Sequence, residues 1–307
     1  MKDLDHALAV LRAGGLVAIP TETVYGLAAD ASNPVAVQRI FAVKQRPVDH
    51  PLIVHIAAAE RLGEWAAKIP PTAAVLADAC WPGPLTLLVP RARQVLDVVT
   101  GGLSTVGVRV PAHPLTLELL DRFGGGLAAP SANRFGRVSP TTAEHVRADL
   151  GADVDFVLDG GPCPIGVEST IVDCTVDPPQ VVRPGGIPNE HIAALLDRVL
   201  SDPDGPSRAP GMLESHYAPR CSVVLASTPA EAQALAADRS GSEVLDDADV
   251  VRYARSLYSR LRDADDRHVG TVVAVLPPAR GLGHAIRDRL TKAAAASSSS
   301  NSPDHGL

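Results

Sequence analysis

Two cations stand two residues apart in Lys44-Gln45-Arg46, with Pro47 directly after them. Cations so spaced in a loop can grip successive phosphates, and the proline stiffens their presentation. The same pair also suits a solvated helix end, where positive charge complements the dipole. Upstream, residues 20–27 read PTETVYGL, and set the hydroxyls of Thr21, Thr23 and Tyr25 and the carboxylate of Glu22 on the end of an apolar run, residues 16–19. A buried strand that ends in a dense polar cluster holds something polar there. Arg109 lies inside the strand-like VGVRVP of residues 106–111, where alternation points it away from the face of Val108 and Val110. A guanidinium in a core strand is costly unless paired, so it requires an internal carboxylate or an anionic ligand.

Further polar signals fall at element boundaries. PSAN at residues 130–133 follows a short apolar run, LAA, in the place where ligands of open α/β sheets collect. SPTT at residues 139–142 is also a plain helix N-cap. GVEST at residues 166–170 opens one strand, and RPGG at residues 183–186 closes the next. The chain has no glycine-rich phosphate loop, no H-E-x-x-H, no G-x-S-x-G and no metal-ligand spacing of histidines. Phosphates, if bound, would be held by side-chain cations and hydroxyls, and no dedicated metal site is expected.

The elements that must position these residues alternate. Helices are expected over residues 3–13, 34–44, 115–123, 141–150 and 190–200, the second capped by Asn33 with Pro34 in its first turn. Strands are expected at 16–19, 52–56, 85–89, 106–110, 127–129 and 156–158, and a hairpin joins 169–176 to 180–183 across Asp177-Pro178-Pro179. Hairpins together with crossovers make an α/β fold with a mixed sheet. The division expected is a first domain at 1–200, a linker at 201–220 rich in Pro, Gly, Ser and Asp, a small α/β domain at 221–292 and a disordered tail at 293–307.

Composition bounds the reading. At 307 residues, 46% hydrophobic and 21% charged, the chain is long enough for two domains, each with its own core. Nothing approaches the roughly 20 apolar residues of a membrane span, and the N-terminus lacks a signal-peptide pattern. The four cysteines are scattered without a C-x-x-C, which fits reduced thiols in a cytoplasmic protein. A net charge of −7 and 3% aromatics disfavour strong direct nucleic-acid binding.

With those residues in view, the sequence closely resembles the YrdC-like threonylcarbamoyl-AMP synthases in their long, two-domain form. The stretches that carry the resemblance are PTETVYGL, KQRPVDHPLIVHI, WPGPLTLLVP, VGVRVPAHP, APSAN, RVSPTTAEHV, DGGPCPIGVESTIVD, VVRPGG, APGMLESHYAP and RGLGHAIRDRLTKA. The resemblance implies a YrdC-like twisted mixed sheet with a concave groove, followed by a smaller Rossmann-like α/β C-terminal domain. It implies a nucleotidyltransferase that condenses L-threonine, bicarbonate and ATP into threonylcarbamoyl-adenylate and pyrophosphate, with magnesium carried by the phosphates. Partner proteins, the threonylcarbamoyl transferase machinery, then modify the adenosine beside the anticodon of tRNA.

By the same resemblance Lys44 and Arg46 are the catalytic cations and, with Arg183, hold the triphosphate. His50, Thr105, Ser131, Asn133 and Ser139 complete the nucleotide site, and Tyr217 reaches over it from the linker, which acts as a lid. Thr21, His55, Arg109, the Ala129 backbone and Ser169 surround the amino acid. The family usually has Asn where this chain has His50, and histidine can still donate a hydrogen bond. Read without the family, His55 is a core histidine on a strand. Two other functions compete: an RNA-binding module, and a carbamoyl-adenylate enzyme for another substrate, such as the YrdC-like part of hydrogenase maturation proteins. The zinc-finger and acylphosphatase segments that accompany the latter are missing from this sequence.

Overall fold

The computed structural model describes residues 2–201, 208–211 and 217–300, with the backbone alone for residues 298–300. The apolar run after Gly14-Gly15 forms β1 (Val17–Ile19), and PTETVY bends the chain back into β2 (Gly26–Asp30). Then follow β3 (Ile53–His55), β4 (Leu85–Pro90), β5 (Thr105–Arg109), β6 (Leu127–Ala128), β7 (Phe156–Val157), β8 (Thr170–Asp173) and β9 (Gln180–Arg183). They form one sheet in the order β7-β1-β2-β6-β3-β5-β4-β8-β9. The pairing is mixed, as expected: β3 and β5 run parallel, β4 and β5 antiparallel, and β8 and β9 make the expected hairpin.

The central strands are buried, and so are rich in Val, Ile and Leu. Helix Pro34–Lys44 packs Val37, Ile40 and Phe41 into the main core. Asn33 caps it by accepting from the Val35 and Ala36 amides at 3.0 and 3.2 Å. Helix Lys2–Arg12 packs on helix Pro114–Phe123 over a second cluster that includes Leu4, Leu8, Leu119 and Leu120. Beyond the sequence reading are β2, helix Pro71–Cys80, and an earlier end to helix Asn189–Leu196, which stops at Asp197 in a left-handed conformation.

Beyond the linker, β10 (Ser222–Ala226), β11 (Ser242–Leu245) and β12 (Thr271–Val275) form a parallel sheet in the order β10-β12-β11. Helices Pro229–Ala237, Val250–Asp266 and Gly283–Ser300 cover it. This core is not closed on itself, as the expectation of two separate cores would have it. Tyr253, Leu257, Tyr258 and Leu261 cluster with Val24, Val138, Val167 and Tyr217 of the preceding chain. Gly166 marks the contact: at φ +84°, a Cβ there would lie 2.5 Å from the Arg255 Cα.

The expected disordered tail is corrected over residues 293–300, which continue the last helix. Ala293 is fully buried, and Ser297 Oγ accepts from the Val223 amide at 3.1 Å. A run of alanines has high helix propensity and needs little packing to stay helical. Residues 301–307 lie outside the described residues, as do 202–207 and 212–216 of the expected linker. The described linker residues are anchored: Ala209 packs against Ile53, Leu88, Ile171 and Val182, and Arg208 pairs with Asp173 at 2.6 Å.

Candidate active site

The two cations that opened the sequence reading face one cleft because Gln45 between them is left-handed, at φ 54°. Its amide, with that of Arg46, closes the helix C-terminus on Ala42 and Phe41, so the chain reverses there and turns Arg46 back beside Lys44. The cleft contains about 640 Å³ of space, including its mouth. It is lined by Thr21, Lys44, Arg46, His55, Arg109, Ala129, Ser131, Asn133, Ser169, Arg183 and Tyr217, among others. Eleven of the fourteen residues expected to form the site therefore meet in one place. His50, Thr105 and Ser139 are not among the lining residues. His50 stands edge-on to Phe135, with ring centroids 5.3 Å apart. Thr105 starts β5, at the far end from Arg109. Ser139 is buried behind the cleft wall and donates to Glu168 at 2.6 Å.

Lys44 is 1% exposed, and its Nζ donates to the Ser131 and Asn133 carbonyls. Burial, and then the neighbouring Arg46 charge, hold its pKa well below the ordinary lysine value. Burial also brings Arg46 down, to about 10. The Arg46 guanidinium lies 5.5 Å from the Phe135 ring centroid and donates to the Pro51 carbonyl at 3.0 Å. Arg183 donates to the Ser169 carbonyl and hydroxyl and, across the cleft, to Pro210 O at 3.2 Å. Among the described residues none of these three cations is paired with a carboxylate.

Arg109 resolves the alternative posed by its strand. It has an internal partner, Glu22, at 2.6 Å, and it still lines the cleft. Nε donates to Gly83 O and one Nη1–H to Thr23 Oγ1 at 3.0 Å. A guanidinium has five N–H donors, so one remains on each terminal nitrogen. Glu22 is held from its other side by the Ala112 amide at 3.0 Å. Next to Arg109 sits His55, fully buried; desolvation, and then the Arg109 charge, push its pKa down to about 3. With that shift the ring is held neutral, and its Nδ1 has no partner among the described residues.

Three of the seven orphaned buried side-chain atoms among the described residues belong to this cleft. Arg46 Nε, His55 Nδ1 and Asn133 Oδ1 are buried side-chain atoms without a partner among the described residues, and all three residues line the cleft. Buried polar groups are normally satisfied, so such a cluster is what a polar ligand site looks like before it is filled.

Sequence reasoning assigned no role to Glu168. Its carboxylate lines the cleft and accepts from Ser139, Tyr258 and Arg289. Burial alone would raise its pKa, but Arg289 and then Arg183 outweigh that and bring it to about 2. Phe135, which follows PSAN, is another lining residue without a boundary signal. Tyr217 is buried in a left-handed conformation at φ 60°, stacked on Tyr258 with centroids 5.9 Å apart. Its neighbours Ser215 and His216 lie outside the described residues. Among the described residues no cluster of three or more His, Cys, Asp or Glu could hold a metal, and no helix is long and apolar enough to cross a membrane.

Comparison with known proteins covers both parts of the chain. Residues 9–185 match the sequence profile described as Telomere recombination, and residues 187–295 match that of the threonylcarbamoyl-AMP synthase C-terminal domain. A threonylcarbamoyl-AMP synthase of Pyrococcus abyssi is 42% identical over 94% of this chain and 92% of its own length. One of Bacillus subtilis is 41% identical over 95% and 92%. The crystal structure of P. abyssi Sua5 complexed with L-threonine superposes with a TM-score of 0.90, at 38% identity, over 96% of this chain and 94% of that one.

Proposed function

This chain belongs to the threonylcarbamoyl-AMP synthases, and from that membership we propose that its cleft joins L-threonine, bicarbonate and ATP into threonylcarbamoyl-adenylate and pyrophosphate. Bicarbonate gives up hydroxide to form carbon dioxide, the neutral threonine amine adds to its carbon, and the N–H proton lost as the carbamate forms joins the hydroxide as water. A carbamate oxygen then attacks the α-phosphorus of ATP, the bond to the α,β-bridging oxygen breaks, and its electron pair leaves with pyrophosphate. No enzyme nucleophile is needed, so catalysis consists of positioning and charge neutralisation.

Lys44, Arg46 and Arg183 hold the triphosphate, and Lys44 and Arg46 neutralise charge at the reacting phosphate. Ser131, Asn133 and Tyr217 complete the nucleotide site. His50, Thr105 and Ser139 stand outside the lining and reach the nucleotide only if the cleft rearranges around it. The two spare N–H groups of Arg109 suit the threonine carboxylate, and neutral His55 supplies a hydrogen bond without charge. Thr21, the Ala129 backbone and Ser169 surround the rest of the amino acid. The L-threonine bound in the P. abyssi relative supports that substrate. Glu168, the carboxylate among the lining residues, is already committed to three donors, so magnesium would be carried by phosphate oxygens. The product serves a transferase that modifies tRNA, which sets the work in the cytoplasm.

The observation that carries this reading is the convergence of three cations that have no carboxylate partner among the described residues with the orphaned Arg46 Nε, His55 Nδ1 and Asn133 Oδ1. Purified protein supplied with ATP, bicarbonate and each amino acid in turn should release pyrophosphate only with threonine. Release that ignores threonine would overturn the assignment.

A further inference from the structure

A line of alternating charge runs from the cleft into the C-terminal unit. Arg183 bonds to Ser169, the residue after Glu168, and both line the cleft; Glu168 accepts from Arg289 Nε at 2.8 Å; Arg289 and Lys292 both donate to Asp288. Lys292 also donates to Gly211 O in the linker. Tyr258 closes on the same carboxylate, at 3.0 and 2.8 Å from its two oxygens. Arg289 is 1% exposed, its guanidinium lies 4.8 Å from the centroid of the Tyr217 ring, and its Nη2 has no partner among the described residues.

The chemistry of this line turns on which cation Glu168 takes. Its oxygens are filled by Ser139, Tyr258 and Arg289. Arg183, held against the adjacent Ser169, bonds among the described residues to Ser169 and Pro210 O and not to the carboxylate. A buried carboxylate that loses its cation turns to the nearest remaining one. Without Arg289 that cation is Arg183, which would then be paired with Glu168 and no longer free for the phosphates.

We propose that Arg289 and Tyr258 of the C-terminal unit are positioning residues for nucleotide binding: by occupying Glu168 they keep Arg183 free for the triphosphate, while Arg289 seats Tyr217 over the cleft. The inference rests on the reading that the cleft binds ATP. It assigns the smaller unit a defined contribution to the site, exerted through one buried carboxylate.

The test uses full-length protein and four variants: Arg289→Met, Glu168→Gln, the two combined, and Tyr258→Phe. Calorimetric ATP binding is measured separately from threonine-dependent pyrophosphate release. Arg289→Met should weaken ATP binding about 10- to 100-fold, the worth of one charge interaction, and change the KM for threonine less than about threefold. Adding Glu168→Gln removes the charge that captures Arg183, while glutamine still accepts from Ser139 and Tyr258, so the double variant should regain most of the ATP affinity. A merely structural tie between the units would make the double variant worse. Should Arg289→Met fail to fold, Tyr258→Phe gives the reading, with a smaller loss confined to ATP. No recovery in the double variant, or equal losses for ATP and threonine, overturns the proposal. Wild-type protein that binds no ATP overturns the functional reading with it, whereas wild type and Arg289→Met binding ATP equally tightly overturns this inference alone.

Discussion

Replacing Lys44 by methionine separates binding from stability, because the two should respond differently. The side chain is buried, has no carboxylate partner among the described residues, and donates only to the carbonyls of Ser131 and Asn133. Its depressed pKa means that desolvation of the ammonium is not repaid by those contacts. Lys44→Met keeps the apolar stem and removes the buried charge, but leaves two carbonyls without this donor. An unsatisfied buried group costs about 1–3 kcal/mol, and removing an uncompensated charge returns a similar amount. At about 2–4 °C per kcal/mol, Tm should stay within about 4 °C of wild type. Activity should not be spared. A charge pair near 4 Å at an effective dielectric near 20 is worth about 4 kcal/mol, and an open cleft screens part of that. The expected fall in kcat/KM for ATP is therefore about 10²- to 10³-fold. Thermal melts and steady-state pyrophosphate release on the same preparations decide it. A large drop in Tm would make Lys44 a structural tie, and activity within about threefold of wild type would refute the phosphate grip.

Arg109→Ala leaves Glu22 buried without its cation, so it should lower stability by about 3–5 kcal/mol and raise the KM for threonine far more than that for ATP; equal rises would sink the carboxylate role. His55, with a pKa near 3, stays neutral throughout the working range, so the KM for threonine should show no break near pH 6; a break that Gln at position 55 abolishes would contradict this. Glu168 has a folded pKa of about 2 against an ordinary 4.5. Its contribution to stability, roughly 3 kcal/mol, is present above pH 4.5 and lost as the pH falls towards 2. Denaturant unfolding across that window should show the loss in wild type and not in Glu168→Gln.

The sequence carried the elements with local signals. Asn33-Pro34 marks a helix start, and the apolar runs at residues 16–19, 52–56 and 106–110 are buried strands in the structure. Gly26–Asp30 escaped because its core is GLAA, without the β-branched residues that betray a strand. Helix Pro71–Cys80 escaped because Pro70 at its N-cap offers no capping side chain, although Pro71 suits the first turn, where its missing amide costs nothing. In the site, boundary hydroxyls and cations were legible because each sits at a strand or helix end. The partners of Arg109 and Glu168 were not: Glu22 lies 87 residues from Arg109, and Arg289 lies 121 residues from Glu168, so only the fold joins them. The resemblance supplied roles for site residues and left those internal pairings open.

Those pairings separate two kinds of buried charge in the molecule. Arg109, Glu22, Glu168 and Arg289 are paired and can be rigid. Lys44, Arg46 and Arg183 are buried without a counter-ion among the described residues, a costly state that a folded chain keeps only where an anion completes it. Tyr217 adds strain of the same kind, a left-handed non-glycine backbone worth roughly 1–3 kcal/mol and held by its stack on Tyr258 beneath Arg289. Binding a triphosphate relieves the first cost directly. The second is relieved only if Tyr217 moves, and two groups that hold it, Tyr258 and Arg289, belong to the C-terminal unit. If the cleft binds ATP as proposed, its affinity is set partly by residues that never touch the nucleotide, and the Arg289 variants should then read out on ATP and not on threonine.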